Sequence, residues 1–190
     1  MKYLIIYAHP NPKSFNHAIK EIVEDKLEKD GKSFEVRQLY EIGFKPELGV
    51  NDIVALQQGQ ALIDVKREQD FIKNADILIF IHPIWWFNMP AVLKGYIDRV
   101  FSYGFAFAVN ENGPYGLLTD KKIIILNTTG GAEENYEKNG YKEALKKTIE
   151  EGTFGFCGMK VILHKYFYAV PYVTDEIRLK MLAELRSISL

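Results

Sequence analysis

The chain has 190 residues, and a hydrophobic content of 47% is enough for one domain, spanning residues 1–190, around a well-filled core. Its 24 basic and 25 acidic side chains give a formal charge of -1, with no run of Lys or Arg that would follow a phosphate backbone, so nucleic acid is excluded as a partner. The single cysteine, Cys157, cannot form an internal disulfide, and the apolar stretch after Met1 is too short for a signal peptide or membrane span. We therefore expect a cytoplasmic protein.

The first third of the chain predicts two strands and three helices. Residues 3–8 form an apolar first strand, and a helix begins near Ser14, with Ser14 or Asn16 as its N-cap, and ends at Asp30. Residues 34–39 alternate between polar and apolar side chains, which is typical of a second strand. A loop rich in glycine and proline follows, and residues 51–62 and 64–74 predict a short helix and a charged amphipathic helix.

The stretch from Ile77 to Phe101 is the predicted centre of the protein. Residues 77–81 are an unbroken apolar run, as expected for a strand that is buried on both faces of a parallel sheet. Between Pro83 and Pro90 the chain carries large flat side chains where a polar connection is usual, and such a loop is costly unless it covers something apolar. A helix with an apolar stripe follows over residues 90–101.

The second half of the chain continues the alternation of strands and helices. After residues 102–107 comes a polar turn at 110–116, then strand 122–127, a helix at 142–151, strand 160–167 and a capped helix at 174–188. Five strands alternating with helices predict an α/β fold with a doubly wound parallel sheet and helices on both faces.

Three loops follow strand carboxyl ends, at residues 9–16, 82–89 and 128–136, and in this topology they converge. The first enters a helix amino terminus, whose free N–H groups and dipole favour an anion such as a phosphate. The second supplies a planar apolar wall, and Gly130 and Gly131 in the third let backbone amides approach a ligand edge. This combination describes a flavin site better than a site for adenine alone.

Sequence motifs in these loops resemble a known family across nearly the whole chain. The matching residues are His9-Pro10 with Ser14-Phe15-Asn16, Asp64-Val65-Lys66-Arg67-Glu68-Gln69, Pro83-Ile84-Trp85-Trp86-Phe87 with Met89-Pro90-Ala91, Leu93 to Phe101, and Thr128-Thr129-Gly130-Gly131. The chain resembles the flavodoxin-like NAD(P)H:quinone oxidoreductases, which include mammalian quinone reductases and bacterial potassium-efflux ancillary proteins and modulators of drug activity. The resemblance implies a sheet order of 2-1-3-4-5.

The resemblance also implies a function and an assembly. It implies non-covalent FMN or FAD, reduced by NADH or NADPH and reoxidised in turn by a quinone, in a homodimer whose active site lies at the subunit interface. The cofactor would carry the hydride chemistry, and the protein would supply position and electrostatics. Cofactor-binding residues carried over from the family are His9, Ser14, Phe15, Asn16, Pro83, Ile84, Trp85, Trp86, Phe87, Thr128, Thr129, Gly130, Gly131 and Tyr136.

Within this set, Gly130, Gly131 and Tyr136 carry the predicted catalytic role. Donors at the pyrimidine edge of a flavin stabilise the negative charge that hydride transfer places there. The mammalian enzymes of the family have a tyrosine and a histidine after the Thr-Thr-Gly-Gly motif. Tyr136 matches the tyrosine, whereas Lys142, next to Tyr141, stands in the histidine position. Either this lysine acts as a cationic donor, or the amides of Gly130 and Gly131 supply most of the stabilisation. The resemblance places Phe105 and Phe107 as a substrate roof across the dimer.

Other residues have simpler interpretations. His82 is expected to be structural, Asp98 and Arg99 to form a solvated helix face or a dimer contact, and Cys157 to be an inert buried thiol. The four histidines have no metal-ligand spacing, so no metal is expected.

Several alternatives stay open from the sequence. The protein is either an enzyme, a regulatory flavoprotein bound to a potassium-efflux antiporter or similar membrane partner, or an electron carrier of the flavodoxin kind, although the near-neutral charge does not favour a carrier. The choice between FMN and FAD, and between NADH and NADPH, also stays open, because the chain lacks a GxGxxG fingerprint with a later acid.

Overall fold

The computed structural model describes all residues from Met1 to Leu190, and its centre is a five-stranded parallel sheet. The strands of the chain are β1 (Lys2–Tyr7), β2 (Ser33–Gln38), β3 (Ile77–Pro83), β4 (Phe107–Asn110), β5 (Gly113–Gly116), β6 (Lys122–Thr128) and β7 (Lys160–Phe167). The sheet has the order β2-β1-β3-β6-β7, which confirms the predicted order for its five strands, while β4 and β5 form a separate antiparallel hairpin.

Helices cover both faces of the sheet. They are α1 (Phe15–Lys29), α2 (Val50–Gln57), α3 (Ile63–Asn74), α4 (Ala91–Val100), α5 (Glu133–Lys138), α6 (Tyr141–Leu145), a π-helix (Lys146–Gly155) and α7 (Asp175–Ser187). Helix α1 begins where the Ser14 side chain accepts from the His17 N–H, and α7 begins where Thr174 accepts from Ile177. None of these helices combines the length and apolar composition that crossing a bilayer requires.

Each sheet face has its own apolar core, which explains the unbroken apolar runs in the strands. Alternate side chains of β3 point to opposite faces, so Ile79 packs with α1 residues such as Ile19, whereas Phe80 packs with Phe154 of the π-helix. The ring centroids of Phe80 and Phe154 lie 4.7 Å apart. A strand with both faces covered has no polar face, as the sequence predicted.

Two segments differ from the sequence prediction. The segment 110–116, expected to be a polar turn, is instead part of the β4-β5 hairpin. The hairpin packs closely on the core at Gly116, where a Cβ atom would lie 2.1 Å from the backbone of Cys157. The expected helix at 142–151 is α6 continued by the longer π-helix, in which the Thr153 hydroxyl donates to the Thr148 carbonyl. The local sequence indicated neither the hairpin nor the π-helix. For the hairpin the reason is that its packing depends on a backbone contact with a distant part of the chain.

Arg99 is buried, and the expectation that it forms a solvated helix face or a dimer contact was wrong. Its Nε donates to Asp52 Oδ1 at 2.9 Å, and its Nη1 donates to Asp64 Oδ2 at 2.8 Å and to the Lys45 carbonyl at 2.7 Å. This network ties α4 to α2, α3 and the loop before α2. The neighbouring Asp98 is exposed and pairs with Lys94, as predicted for a helix face.

We predict that Arg99→Ala lowers the free energy of unfolding by about 3 kcal/mol, because the substitution leaves buried Asp52 without its partner. Urea unfolding followed by circular dichroism measures the change. Lys94→Ala is the matched control, since it removes an exposed ion pair on the same helix and is expected to cost less than about 0.5 kcal/mol. Equal losses in the two variants would contradict a stabilising role for the buried network.

Candidate functional site

The carboxyl ends of the sheet strands surround a cleft of about 600 Å³. Because β1, β3 and β6 are adjacent and parallel, the loops that follow them meet at one edge of the sheet. The residues that line the cleft are His9, Asn11, Ser14, Phe15, Asn16, Pro83, Ile84, Trp85, Trp86, Thr128, Thr129, Gly130, Val170 and Pro171. The structure therefore brings together most of the residues that were expected to hold a cofactor.

Some predicted residues lie behind the lining or away from it. Phe87, Gly131 and Tyr136 do not line the cleft, and the Phe87 and Tyr136 ring centroids are 5.9 Å apart. Phe105 lines a different cleft with Lys73, and Phe107 packs against Phe156. Within one chain, neither phenylalanine reaches the cleft at the sheet edge.

The amino terminus of α1 provides backbone donors at one end of the cleft. The Ser14 hydroxyl accepts from the His17 N–H, but the N–H groups of Phe15 and Asn16 have no acceptor within the protein. Free N–H groups at the positive end of a helix dipole bind anions. This end of the cleft therefore suits a phosphate group.

His9 presents a neutral donor beside this helix terminus. Its Nδ1 accepts from the Asn11 N–H at 3.0 Å, so the proton of the neutral ring is on Nε2. Burial lowers the pKa of His9, which keeps the ring neutral at pH 7. The imidazole can therefore donate to a ligand without carrying a charge.

Asn16 offers an unmatched acceptor inside the cleft. Its Nδ2 donates to Thr128 Oγ1 at 2.7 Å, whereas its Oδ1 is buried and has no hydrogen-bond partner in the protein. A buried polar atom without a partner is costly, so this oxygen favours a ligand that brings a hydroxyl or N–H donor.

The aromatic loop after β3 closes with a strained turn. Trp85 and Asn88 exchange two backbone hydrogen bonds of 3.0 Å, and the residues between them, Trp86 and Phe87, have φ values of 50° and 56°. Such left-handed pairs normally contain Gly, Asn or Asp, because other side chains are strained there. Trp86 is 96% exposed, so burial of its own side chain does not offset this cost. Strain of this kind is common at ligand-binding loops.

The loop after β6 provides further backbone donors beside the cleft. The Gly131 carbonyl accepts from the Thr129 hydroxyl and from the Ala169 N–H, while the N–H groups of Gly130 and Gly131 have no acceptor in the protein. A Cβ atom at position 131 would lie 2.8 Å from the Tyr136 ring, so glycine is required there by packing. At position 130 a Cβ atom would meet open space.

The position next to this loop clarifies the departure from the family pattern. Lys142 turns outward, with Nζ 3.0 Å from Glu137 and 3.3 Å from Glu133, whereas the Tyr141 ring lies 4.2 Å from that of Phe87. Burial raises the pKa of Tyr136, so its phenol stays protonated at pH 7. Tyr136 and Tyr141, rather than Lys142, are the polar groups that pack beside the aromatic loop.

Sequence reasoning did not single out Asn11, Val170 or Pro171 as lining residues. Asn11 lies within the first loop that was expected to contribute. Val170 and Pro171 follow β7, and the rule that ligands bind beyond strand carboxyl ends applies equally to this fifth strand. That rule would have identified them.

Strand order and cleft position define a doubly wound α/β protein that binds its ligand at the carboxyl edge of the sheet. The family described as "Flavodoxin-like fold" matches residues 1–188, and the chain belongs to this family.

Individual relatives are similar over nearly the full length. The chain is 35% identical over 202 residues to human ribosyldihydronicotinamide dehydrogenase [quinone], with 96% of this chain and 87% of the relative covered. It is 34% identical over 183 residues to an uncharacterized NAD(P)H oxidoreductase of Haemophilus influenzae, covering 96% and 91%. The structure of NAD(P)H:quinone oxidoreductase from Methanothermobacter marburgensis superposes with a TM-score of 0.89 at 30% identity, covering 98% of this chain and 95% of that one.

We predict that Trp86→Gly raises the free energy of unfolding of the single chain by about 0.5–1 kcal/mol, because glycine relieves the left-handed strain and Trp86 is almost fully exposed in that chain. Chemical unfolding at protein concentrations where the chain is monomeric measures the effect. Trp85→Gly is the matched control, because Trp85 does not have a positive φ and is less exposed, so the same substitution is expected to destabilise. A loss of stability in Trp86→Gly would show that the turn is not strained.

Proposed function

We propose that the protein is a flavin-dependent enzyme that reduces quinones or similar planar acceptors with NAD(P)H. The observation that carries this proposal is the composition of the cleft, which combines free amide donors from the α1 terminus and from the loop after β6 with an aromatic wall from the loop after β3. Relatives named as a ribosyldihydronicotinamide dehydrogenase [quinone] and as an NAD(P)H:quinone oxidoreductase support the same reaction.

The donor set fits FMN or the FMN half of FAD. A phosphate would accept from the amides of Phe15 and Asn16 at the α1 terminus, and a ribityl hydroxyl would donate to the unmatched Asn16 Oδ1. Pro83, Ile84 and Trp85 would line the flat ring system. The choice between FMN and FAD depends on what lies beyond the phosphate, and the released cofactor identifies it.

A bound flavin would supply hydride transfer from NAD(P)H to the acceptor, and the proposed order is ping-pong, in which the two substrates would bind in turn. The contribution of the chain is electrostatic. The free N–H groups of Gly130 and Gly131 would donate to the pyrimidine edge, where negative charge develops, and Tyr136 lies directly behind them as a protonated phenol. These donors are held by backbone hydrogen bonds, so they need no reorganisation during the reaction.

We further propose that the working unit is a homodimer with the active site at the subunit interface. Around the cleft, Trp86 and Tyr172 are largely exposed and Phe87 is half-exposed, although each is a large apolar or aromatic side chain. Phe105 and Phe107 do not reach the cleft of their own chain, so a substrate roof made from them would have to come from the partner. Both observations support a second copy over this edge.

The visible spectrum of the purified protein tests the proposed reaction. We expect the bands of oxidised flavin, either as purified or after addition of FMN or FAD, and we expect them to bleach with NADH or NADPH under nitrogen. Adding a benzoquinone should restore the bands, and chromatography of the released cofactor should identify it. A protein that takes up neither flavin, or a reduced flavin that benzoquinone does not reoxidise, would overturn the proposal.

Light scattering during size-exclusion chromatography tests the homodimer. One chain has a mass of 21.9 kDa, and we expect a species of twice this mass at micromolar concentration. Trp86→Asp places a charge on the exposed aromatic edge and is expected to shift the population toward monomer. Lys180→Asp on exposed α7, away from the cleft, is the control that should leave the mass unchanged. A wild-type monomer would contradict the proposal.

A further inference from the structure

Four buried or partly buried polar side chains form a hydrogen-bonded row that ends at the aromatic loop. They are His82 on β3, Asn127 on β6, His164 on β7 and Glu150 on the π-helix. The contacts are 3.1 Å from Asn127 Nδ2 to His82 Nε2, 2.8 Å from His164 Nε2 to Asn127 Oδ1, and 2.7 Å from Glu150 Oε1 to His164 Nδ1. None of these residues lines the cleft.

Carbonyl groups at the cleft end fix the direction of every hydrogen bond in the row. His82 Nδ1 lies 2.9 Å from the Pro83 carbonyl, which can only accept, so Nδ1 carries the proton and Nε2 is an acceptor. Asn127 Nδ2 donates to this Nε2 and also to the His82 carbonyl at 3.0 Å. The Asn127 amide therefore has one orientation, with Oδ1 directed at His164.

The orientation of Asn127 then sets the state of His164. His164 Nε2 must donate to Asn127 Oδ1, and one further proton lies between His164 Nδ1 and Glu150 Oε1, which are 2.7 Å apart. Burial lowers the pKa of His164 to about 4 and raises the pKa of Glu150, so burial by itself disfavours a charged form of either group. The Tyr166 ring stacks on His164 with its centroid 4.2 Å away and holds the imidazole plane.

The row connects the two loops that would contact the flat ring of a ligand. Asn127 directly precedes Thr128, and His82 directly precedes Pro83, and both Thr128 and Pro83 line the cleft. The same two strand ends are joined by the Ile84 N–H, which donates to the Thr128 carbonyl at 2.8 Å. A change in the orientation of the Asn127 amide would therefore alter the positions of both loops.

We propose that Asn127 is a positioning residue that holds the aromatic loop and the Thr128–Gly131 loop in one fixed relation, and that His164 and Glu150 keep its amide in the required orientation. The identity of the ligand as a flavin rests on the function proposed above. The positioning itself is a property of the protein and is measurable without a ligand.

Two substitutions at His164 separate the effect of its hydrogen bond to Asn127 from the effect of its packing against Tyr166. His164→Phe keeps a flat ring against Tyr166 but removes the N–H that Asn127 needs, whereas His164→Gln can place an N–H near the position of Nε2. We expect the dissociation constant for FMN and FAD to rise about tenfold in the Phe variant and to stay within about threefold of wild type in the Gln variant.

Tryptophan fluorescence gives a readout that needs no flavin. The chain has 2 tryptophans, Trp85 and Trp86, and both are in the aromatic loop. We expect the emission maximum and acrylamide quenching to change in His164→Phe and to remain close to wild type in His164→Gln. Glu151→Gln is the control, because it alters an exposed neighbour of Glu150 on the same π-helix and should change neither quantity.

The outcomes separate this inference from the proposed function. Equal effects of Phe and Gln, or no effect of Phe on fluorescence and flavin affinity, would overturn the positioning role. If wild type binds no flavin, the proposed function fails, and the fluorescence comparison still decides the inference. If His164→Phe does not fold, nitrogen NMR of wild-type histidines decides it: protonated Nδ1 in His82 and protonated Nε2 in His164 are required, and the opposite tautomers would contradict it.

Discussion

The site depends on the parallel pairing of three neighbouring strands. Tyr7 of β1 pairs with Ile81 of β3, and Pro83 of β3 pairs with Thr128 of β6, so each strand ends at nearly the same level. The loops that follow are therefore adjacent, although they begin after residues 7, 83 and 128 of the chain. A shift of register between β3 and β6 would separate the aromatic wall from the glycine amides, and the buried faces of both strands resist such a shift.

The protein leaves hydrogen-bonding groups unpaired where a ligand would use them and pairs them elsewhere. The amides of Phe15, Asn16, Gly130 and Gly131 have no acceptor in the protein, and all of these residues except Gly131 line one cleft. Arg99 shows the contrasting behaviour in the interior, where its donors satisfy two carboxylates and a carbonyl. Unpaired donors at the cleft cost little free energy because solvent or a ligand can hydrogen-bond to them, whereas an unpaired polar group in the interior destabilises the fold.

Local and distant constraints meet in the aromatic loop. The turn at Trp86 and Phe87 adopts a left-handed conformation that these residues do not favour. The start of this loop is fixed by two contacts with the sheet. The Ile84 N–H donates a hydrogen bond to the Thr128 carbonyl, and the Pro83 carbonyl accepts from His82, the first residue of the hydrogen-bonded row. A strained turn persists when its surroundings determine it from several directions, and this loop is determined by β3, β6 and the packing of Phe87 on Tyr141.

The sequence by itself determined the strand and helix alternation, the doubly wound sheet and most of the residues that line the cleft, because hydrophobic periodicity and strand-end loops are local signals. It also indicated that His82 is structural, and the ring is fully buried. Only the tertiary structure decided the burial of Arg99, the β4-β5 hairpin, the π-helix and the row from Glu150 to His82. Each of these depends on partners far away in the chain, such as Asp52 for Arg99 and Glu150 for His164, and no local pattern encodes which distant side chain will face a buried polar group.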